Sequence, residues 1–234
     1  MTPNSDHVGI SGKPQDGFVS RFFNRPISRL ITRALLRFPI TPNAWTMSIF
    51  PLLIVAFLFL IRGDYRGFVI GCAIFQIYSI LDGCDGEIAR AKSLESETGA
   101  RLDNFCDSVG NVLFAIGLGL GLQKFQHGWY ALEGIICAVA LSANEWLLSR
   151  FNPRQAAASD SFYPRHHAML QRAGLSSAQG GILWWIFQLT KHDVAILVFL
   201  LLAIAGLPQW ILHLWTIVAA ASLALTIGSR FRAS

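Results

Sequence analysis

The sequence is poor in charge. Of 234 residues only 14% are Asp, Glu, Lys or Arg, against about 25% in an ordinary soluble domain. Hydrophobic residues make up 53%, and the mean hydropathy is +0.46. So few charges do not coat a soluble surface of this size, which disfavours a soluble enzyme and a disordered chain alike. Cysteine is scarce too. Cys72, Cys84, Cys106 and Cys137 form no CxxC pair, so neither a disulfide framework nor a zinc site is indicated. The first 16 residues contain Pro3, Gly9, Gly12 and Pro14 and no apolar core of the signal-peptide kind, and residues 1–16 read as a disordered start. No internal repeat is visible. What remains is an all-α, polytopic membrane protein, in which six spans of about 20 residues would use most of the apolar half of the chain.

The hydrophobic runs place those spans. Residues 17–40 come first and carry Arg21, Arg25, Arg29, Arg33 and Arg37 at intervals of four, with Phe22, Phe23, Ile27, Leu30, Ile31, Leu35 and Phe38 filling much of the opposite side. A helical period with arginines on one face predicts an amphipathic juxtamembrane helix lying in the membrane interface. After Thr41-Pro42-Asn43, residues 41–234 are expected to form the six-helix membrane domain. Its spans are predicted at about 44–61, 67–81, 102–122, 129–148, 193–207 and 209–228, the second continuing as a charged helical stretch to about 90. Pro51 inside the first span is tolerable where neighbours satisfy the freed carbonyl.

The basic residues sort by side. Sixteen of 19 fall in the N-terminal segment, the 82–107 stretch, the 149–191 loop and the C-terminus; Arg62, Arg66 and Lys124 take the other side. Such asymmetry predicts both termini and the 82–107 stretch on the cytoplasmic face of the inner membrane. The net charge of +5 is then accounted for by topology, and no nucleic-acid footprint is left.

The acidic residues are concentrated. Seven of 14 lie between Asp82 and Asp107, in LDGCDGEIARAKSLESETGARLDNFCD. A charge at the centre of a span costs about 2.5–3.5 kcal/mol on insertion scales, so aspartates at the ends of two neighbouring spans need a counter-charge. Asp82 and Asp85 are three apart and Asp103 and Asp107 four apart, so in helices each pair shares a face. A short loop joins the two, and adjacent helices can present four carboxylates to one cavity. Hard oxygen ligands select magnesium, manganese or calcium over zinc, and such ions can in turn hold a diphosphate. Gly83, Gly86 and Gly99 cost a helix about 1 kcal/mol each relative to alanine. Close approach of a nucleotide is one reason for them, and tight helix packing is another. Arg90 could bind a phosphate in a bidentate way.

These residues resemble the CDP-alcohol phosphotransferases, also called CDP-alcohol phosphatidyltransferases. The family signature D-x2-D-G-x2-A-R-x8-G-x3-D-x3-D is matched at Asp82, Asp85-Gly86, Ala89-Arg90, Gly99, Asp103 and Asp107, with every spacing kept. The six-span pattern and the N-terminal helix are also similar to this family. The resemblance implies a metal-dependent transferase that moves a substituted phosphate from a CDP-linked donor to an alcohol acceptor and releases CMP. It implies two divalent cations, Mg2+ or Mn2+, among Asp82, Asp85, Asp103 and Asp107, with Asp107 also removing the acceptor's hydroxyl proton. It places Asn43, Thr46, Gly86, Ala89, Arg90 and Gly99 at the nucleotide, and it implies a homodimer.

The stretches RPISRLITRALLRFPITPN and LDGCDGEIAR are similar to the branch that joins CDP-inositol to inositol phosphate, making di-myo-inositol phosphates. An enzyme using CDP-diacylglycerol to make a phospholipid fits the same stretches. Arg150, Arg154 and Lys191 would lie at cytoplasmic span ends, either holding a sugar-phosphate acceptor or meeting membrane lipid headgroups. His166 and His167 read as solvated, Glu145 as a support for the site, and Glu133 has no assigned role. Two other classes use similar residues. A cation- or proton-coupled transporter would carry its load on intramembrane carboxylates, but the inverted repeats common in transporters are not visible. An Asp-rich prenyltransferase would lack the DGxxAR…G spacing.

Overall fold

The computed structural model describes residues 19–151 and 192–231. The expected disordered start and His166-His167 lie outside them. Every described element is a helix. A π-helical turn, Ser20–Asn24, runs into α1 (Arg25–Leu35), followed by α2 (Pro42–Ile49), α3 (Pro51–Leu60), α4 (Tyr65–Lys92), α5 (Glu97–Phe125), α6 (Tyr130–Phe151), α7 (His192–Ile204) and α8 (Pro208–Phe231).

Local chemistry sets the boundaries. Pro26, Pro42 and Pro51 each stand in a first helical turn, where a missing N–H has no partner to lose. The Thr41 hydroxyl accepts from the Ala44 N–H at 3.3 Å and caps α2, which with α3 makes one apolar stretch, Pro42–Leu60. Gly63, at φ +69°, turns the chain. Asp64 then caps α4 by accepting from the Gly67 N–H at 2.7 Å. At the other end of α4, Ser93 adopts the left-handed conformation that closes helices, and Ser96 caps α5 by accepting from the Gly99 N–H at 3.1 Å.

Among the described residues, five helices are long and apolar enough to cross a membrane: Pro42–Leu60, Tyr65–Lys92, Glu97–Phe125, Tyr130–Arg150 and Pro208–Gly228. The sequence pointed to six. The remaining candidate, α7, has 13 described residues, or about 20 Å of helix at 1.5 Å per residue, and ends at Ile204 rather than Leu207. Gly206, at φ +74°, then makes the turn into α8. α4 and α5 have 28 and 29 residues, about 42 Å each, which exceeds the ~30 Å hydrocarbon layer and leaves length for polar ends.

The core is aromatic where α4, α5, α7 and α8 meet. The Phe114 ring lies 4.4 Å from Phe75, 5.9 Å from Phe199 and 5.5 Å from Trp215. α5 and α6 instead meet through glycine. A Cβ on Gly119 would stand 2.6 Å from the Tyr130 carbonyl oxygen, and one on Gly134 would stand 2.7 Å from that of Ala115. Small residues permit this backbone approach, as at many helix contacts in membranes. Two polar links tie α6 to α8. Asn144 donates to Ser222 and accepts from Thr226 at 2.7 Å. Glu133, unassigned from sequence, meets His213 Nδ1 at 2.7 Å.

The face of α1 differs from expectation. Its buried residues are Arg25, Ser28 and Thr32, with Asn24 just before them, whereas Phe22, Phe23, Leu30 and Phe38 are exposed. The helix packs on α4 through a polar stripe, with Leu30 exposed and Ile27, Ile31 and Leu35 half-buried. Arg25 belongs to the buried stripe, while Arg21, Arg33 and Arg37 are exposed. The reason is that α4 offers Glu87 and Gln76 to that stripe, and a buried carboxylate must be met by donors.

Candidate active site

Two helix ends and a short connection build the site. α4 brings Asp82 and Asp85 on its last turns. Residues 93–96 reverse the chain, and α5 brings Asp103 and Asp107 on its second and third turns. One carboxylate oxygen each from Asp82, Asp85 and Asp103 can be chosen so that all three lie within 4.8 Å of one another. Asp107 is one turn further along α5 and accepts from the Tyr78 hydroxyl at 2.9 Å. Tyr78 lies one turn before Asp82 on α4.

α2 supports this cluster. Thr46 is buried and its hydroxyl reaches Asp85 Oδ2 at 2.7 Å. The Trp45 indole N–H donates to the Leu81 carbonyl at 2.9 Å, which fixes the first turns of α2 against α4 beside Asp82. Asn43 comes up against α5, since a Cβ on Gly99 would stand 2.9 Å from Asn43 Oδ1. From α2, Thr46 thus meets Asp85 and Asn43 meets Gly99. Arg90 lies over Gly86, where an added Cβ would meet Nη1 at 3.3 Å. The Nε and Nη2 of Arg90 are buried without a hydrogen-bond partner. Ala89 is half-buried on the face of Asp82.

The donor set fits a divalent cation. Three carboxylates converge, all hard oxygen ligands of the kind Mg2+ and Mn2+ prefer. Asp82 Oδ1 is buried and accepts no hydrogen bond, although a buried carboxylate oxygen is costly to leave unmatched. Buried Arg90 N–H groups with no acceptor make the same case for a bound anion.

Other expected residues are placed differently. Gly83 faces α1, its Cβ position 3.0 Å from Arg25 Nη1 and 3.6 Å from Ser28 Oγ, so helix packing accounts for it. Arg150 is exposed in the last turn of α6. Arg154 and Lys191 lie outside the described residues, so the three are not seen as a group. Glu145 is half-buried on α6.

Two residues went unnoticed in the sequence. Tyr78 sits in an apolar run that reads as ordinary span, and only its position four residues before Asp82 marks it. Glu87, inside the signature's D-G-x-x-A-R, is 1% exposed. It receives the Ser28 and Thr32 hydroxyls at 2.8 Å each and the Arg25 guanidinium at 3.4 Å.

An all-helical membrane protein whose two long helices converge on a carboxylate cluster defines a class of metal-assisted membrane enzyme. Comparison with known proteins narrows it. The CDP-alcohol phosphatidyltransferase family matches residues 39–228, and the chain belongs to that family. Among curated relatives, the bifunctional IPC transferase and DIPP synthase of Rubrobacter xylanophilus is 41% identical over 132 residues, covering 55% of this chain and 30% of that protein. The protein of the same description from Archaeoglobus fulgidus is 38% identical over 109 residues, covering 47% and 21%. The chain thus spans less than a third of the length of these relatives. Among solved structures, apo Mycobacterium tuberculosis phosphatidylinositol phosphate synthase (PgsA1) shares the fold. Its TM-score is 0.53 at 20% identity, over 85% of this chain and 94% of that one.

Proposed function

We propose that this integral membrane protein transfers a substituted phosphate group from a CDP-linked donor to an alcohol acceptor, with release of CMP. The convergence of Asp82, Asp85 and Asp103 within 4.8 Å, with Asp107 one turn away, carries this reading. Asp82, Asp85 and Asp103 hold divalent cations, two Mg2+ or Mn2+ ions with Asp107 as a further ligand. Bound there, such ions would offset phosphate charge and stabilise the attacking and leaving oxygens of the displacement.

The chain's own residues do the rest. Asn43, Thr46, Gly86, Ala89 and Gly99 line the nucleotide, and Arg90 offers its buried N–H groups to a phosphate oxygen. Asp107, held by Tyr78, takes the proton of the acceptor hydroxyl as that oxygen attacks phosphorus. The bond from phosphorus to the CMP oxygen breaks, and CMP leaves with the electron pair. Arg150, Arg154 and Lys191 bind the acceptor's phosphate where it carries one.

We read the donor as CDP-inositol, on the resemblance to the inositol branch and on the names of the matched relatives; CDP-diacylglycerol is the competing donor. The exposed Phe22, Phe23, Leu30 and Phe38 suit the segment around α1 to the membrane interface, and α7 serves as the sixth span. The protein is a homodimer of the inner membrane with both termini and the site in the cytoplasm.

The test is CMP release from purified protein in detergent or liposomes, screening CDP-inositol and CDP-diacylglycerol against a panel of alcohols. CMP release that needs both an acceptor and Mg2+ or Mn2+, and stops with EDTA, is expected. Full release in EDTA, or none from any CDP donor, would overturn the reading.

A further inference from the structure

The stripe of α5 that carries Asp103 and Asp107 holds one more polar side chain. Asn111 lies one turn beyond Asp107 and two beyond Asp103, so the three share a face of the helix. The same face runs on into Phe114, Ala115 and Leu118, all buried. Leu120, nine residues from Asn111 and so on the opposite side of a 3.6-residue helix, is exposed. Asn111 therefore faces into the protein and away from lipid, between the carboxylates and the aromatic core around Phe114.

Its carboxamide finds no match there. Oδ1 is buried and meets no hydrogen-bond partner among the described residues. Two other asparagines are matched: Asn24 accepts from Gln76 at 3.0 Å, and Asn144 joins Ser222 and Thr226 at 3.2 and 2.7 Å. An unmatched buried amide costs stability, and a leucine of like size would fill a purely structural position at least as well. Asn111 as a whole is only half-buried. With the aromatic core on one side, the open space it borders lies on the side of the carboxylates.

The chemistry of the amide narrows what fills that space. Eight residues separate Asn111 from Asp103, about 12 Å along the helix, too far to join an ion held where Asp82, Asp85 and Asp103 converge. An ionised phosphate offers no hydrogen to an amide oxygen. A hydroxyl does, and because it both donates and accepts it suits either end of the carboxamide.

We propose that Asn111 binds a second hydroxyl of the acceptor, close to the one that attacks beside Asp107, and so favours polyhydroxylated acceptors over simple alcohols. Side chains one helical turn apart stand about 5–6 Å apart at Cβ, a gap that two hydroxyls of one small polyol bridge with their hydrogen bonds. The proposal rests on the transferase reading above, which puts the attacking hydroxyl at Asp107.

The test follows CMP release by the full chain in detergent, with CDP-inositol or CDP-diacylglycerol as donor. The acceptors are inositol phosphate, glycerol phosphate and 2-hydroxyethyl phosphate, the last with a single hydroxyl. In Asn111→Leu the KM for the polyol acceptors rises about threefold to tenfold, the range of one neutral hydrogen bond. The KM for the donor, the Mg2+ concentration for half-maximal rate and the kcat/KM for 2-hydroxyethyl phosphate stay unchanged. The thermal midpoint does not fall, because an unmatched amide gives way to an apolar group. Should Asn111→Leu fail to fold, Asn111→Ala is expected to show the same split.

Unchanged polyol KM in the folded variant overturns the inference. So does an equal rise for all three acceptors, which would mean crowding rather than a lost hydroxyl contact. A lower kcat at unchanged KM would put the amide on Asp107 instead of the acceptor and overturn it as well. Wild-type release with 2-hydroxyethyl phosphate but with neither polyol overturns the inference and leaves the transferase standing, whereas no release from any donor and acceptor overturns both.

Discussion

Two carboxylates five residues apart on α4 are treated in opposite ways. Glu87 is almost wholly buried and is met by two hydroxyls and a guanidinium. Asp82 keeps a buried oxygen that accepts no hydrogen bond. They stand about 7.5 Å apart along the same helix, and being on that helix does not decide their roles. The neighbours do. α1 supplies donors to Glu87, whereas α5 brings further carboxylates to Asp82. A buried acid whose donors are supplied by its own chain is finished when the chain folds. One that faces other acids is unfinished until a cation arrives. The pair therefore teaches which acid builds the frame and which does chemistry, and each prediction below puts that division at risk.

The largest effect belongs to the site side. On the proposed reading, Asp82→Asn or Asp103→Asn removes a metal ligand outright, more than the ~10–100-fold cost of losing an outer partner, and CMP release should fall by about 10³-fold. Mn2+ binding measured in parallel must be lost with it, and retained binding would mean that Asp82 is no ligand. Asp107→Asn is expected to keep CDP binding and lower kcat by about 10²–10⁴-fold, the range of a missing general base. Near wild-type kcat would remove Asp107 from proton transfer.

Those residues were legible because their signal is local. Asp82 with Asp85, and Asp103 with Asp107, need only helical spacing to share a face, and Ser93–Ser96 is too short to hold the two helices apart. The long spans were legible for the same reason, with Thr41-Pro42-Asn43 marking the start of the first. α1 was half legible. Its arginines at intervals of four announce a helix, but they hide the stripe of Arg25, Ser28 and Thr32 that is buried. What makes it buried is Glu87, 62 residues from Arg25, and a pairing at that distance leaves no periodic trace. α7 was read three residues past its C-terminal end because apolar composition runs on through Leu207, while the helix stops at the turn that Gly206 makes.

On the frame side the expected loss is of stability. Glu87→Leu strands the Arg25 charge in the seam, and breaking a buried pair from one side costs about 3–5 kcal/mol. Thermal unfolding in detergent should show a lower midpoint for this variant. Arg25→Met/Glu87→Leu should recover most of it, because no charge is left uncompensated. A double variant as unstable as the single would show that the hydroxyls, rather than the charge pair, hold the seam. Tyr78→Phe crosses the division, since Tyr78 is a frame residue whose hydroxyl touches Asp107. A hydrogen bond to a charged group contributes about 1.5–3 kcal/mol, so kcat should fall by about tenfold or somewhat more with little change in the unfolding midpoint. A shifted midpoint with unchanged kcat would place Tyr78 wholly in the frame.

The smallest effect is expected at a carboxylate that belongs to neither side. Asp64 caps the far end of α4 and lies open to water. The Gly67 N–H bonded to its carboxylate, and after it the Arg62 guanidinium at 3.1 Å, hold its carboxyl below the ordinary value of 3.8. A group whose folded value is depressed stabilises the fold fully above its unfolded value, and loses that contribution as pH falls through the folded value. Thermal midpoints should therefore be flat in this contribution from neutral pH down to about pH 4 and decline below it. Asp64→Asn, which still caps, should lower the neutral midpoint slightly and remove part of the acid decline. Salt should narrow the gap between variant and wild type only modestly, because the backbone hydrogen bond outweighs the Arg62 charge, and only the latter is screened. An acid decline identical in Asp64→Asn and wild type would transfer it to the aspartates at the other end of the helix.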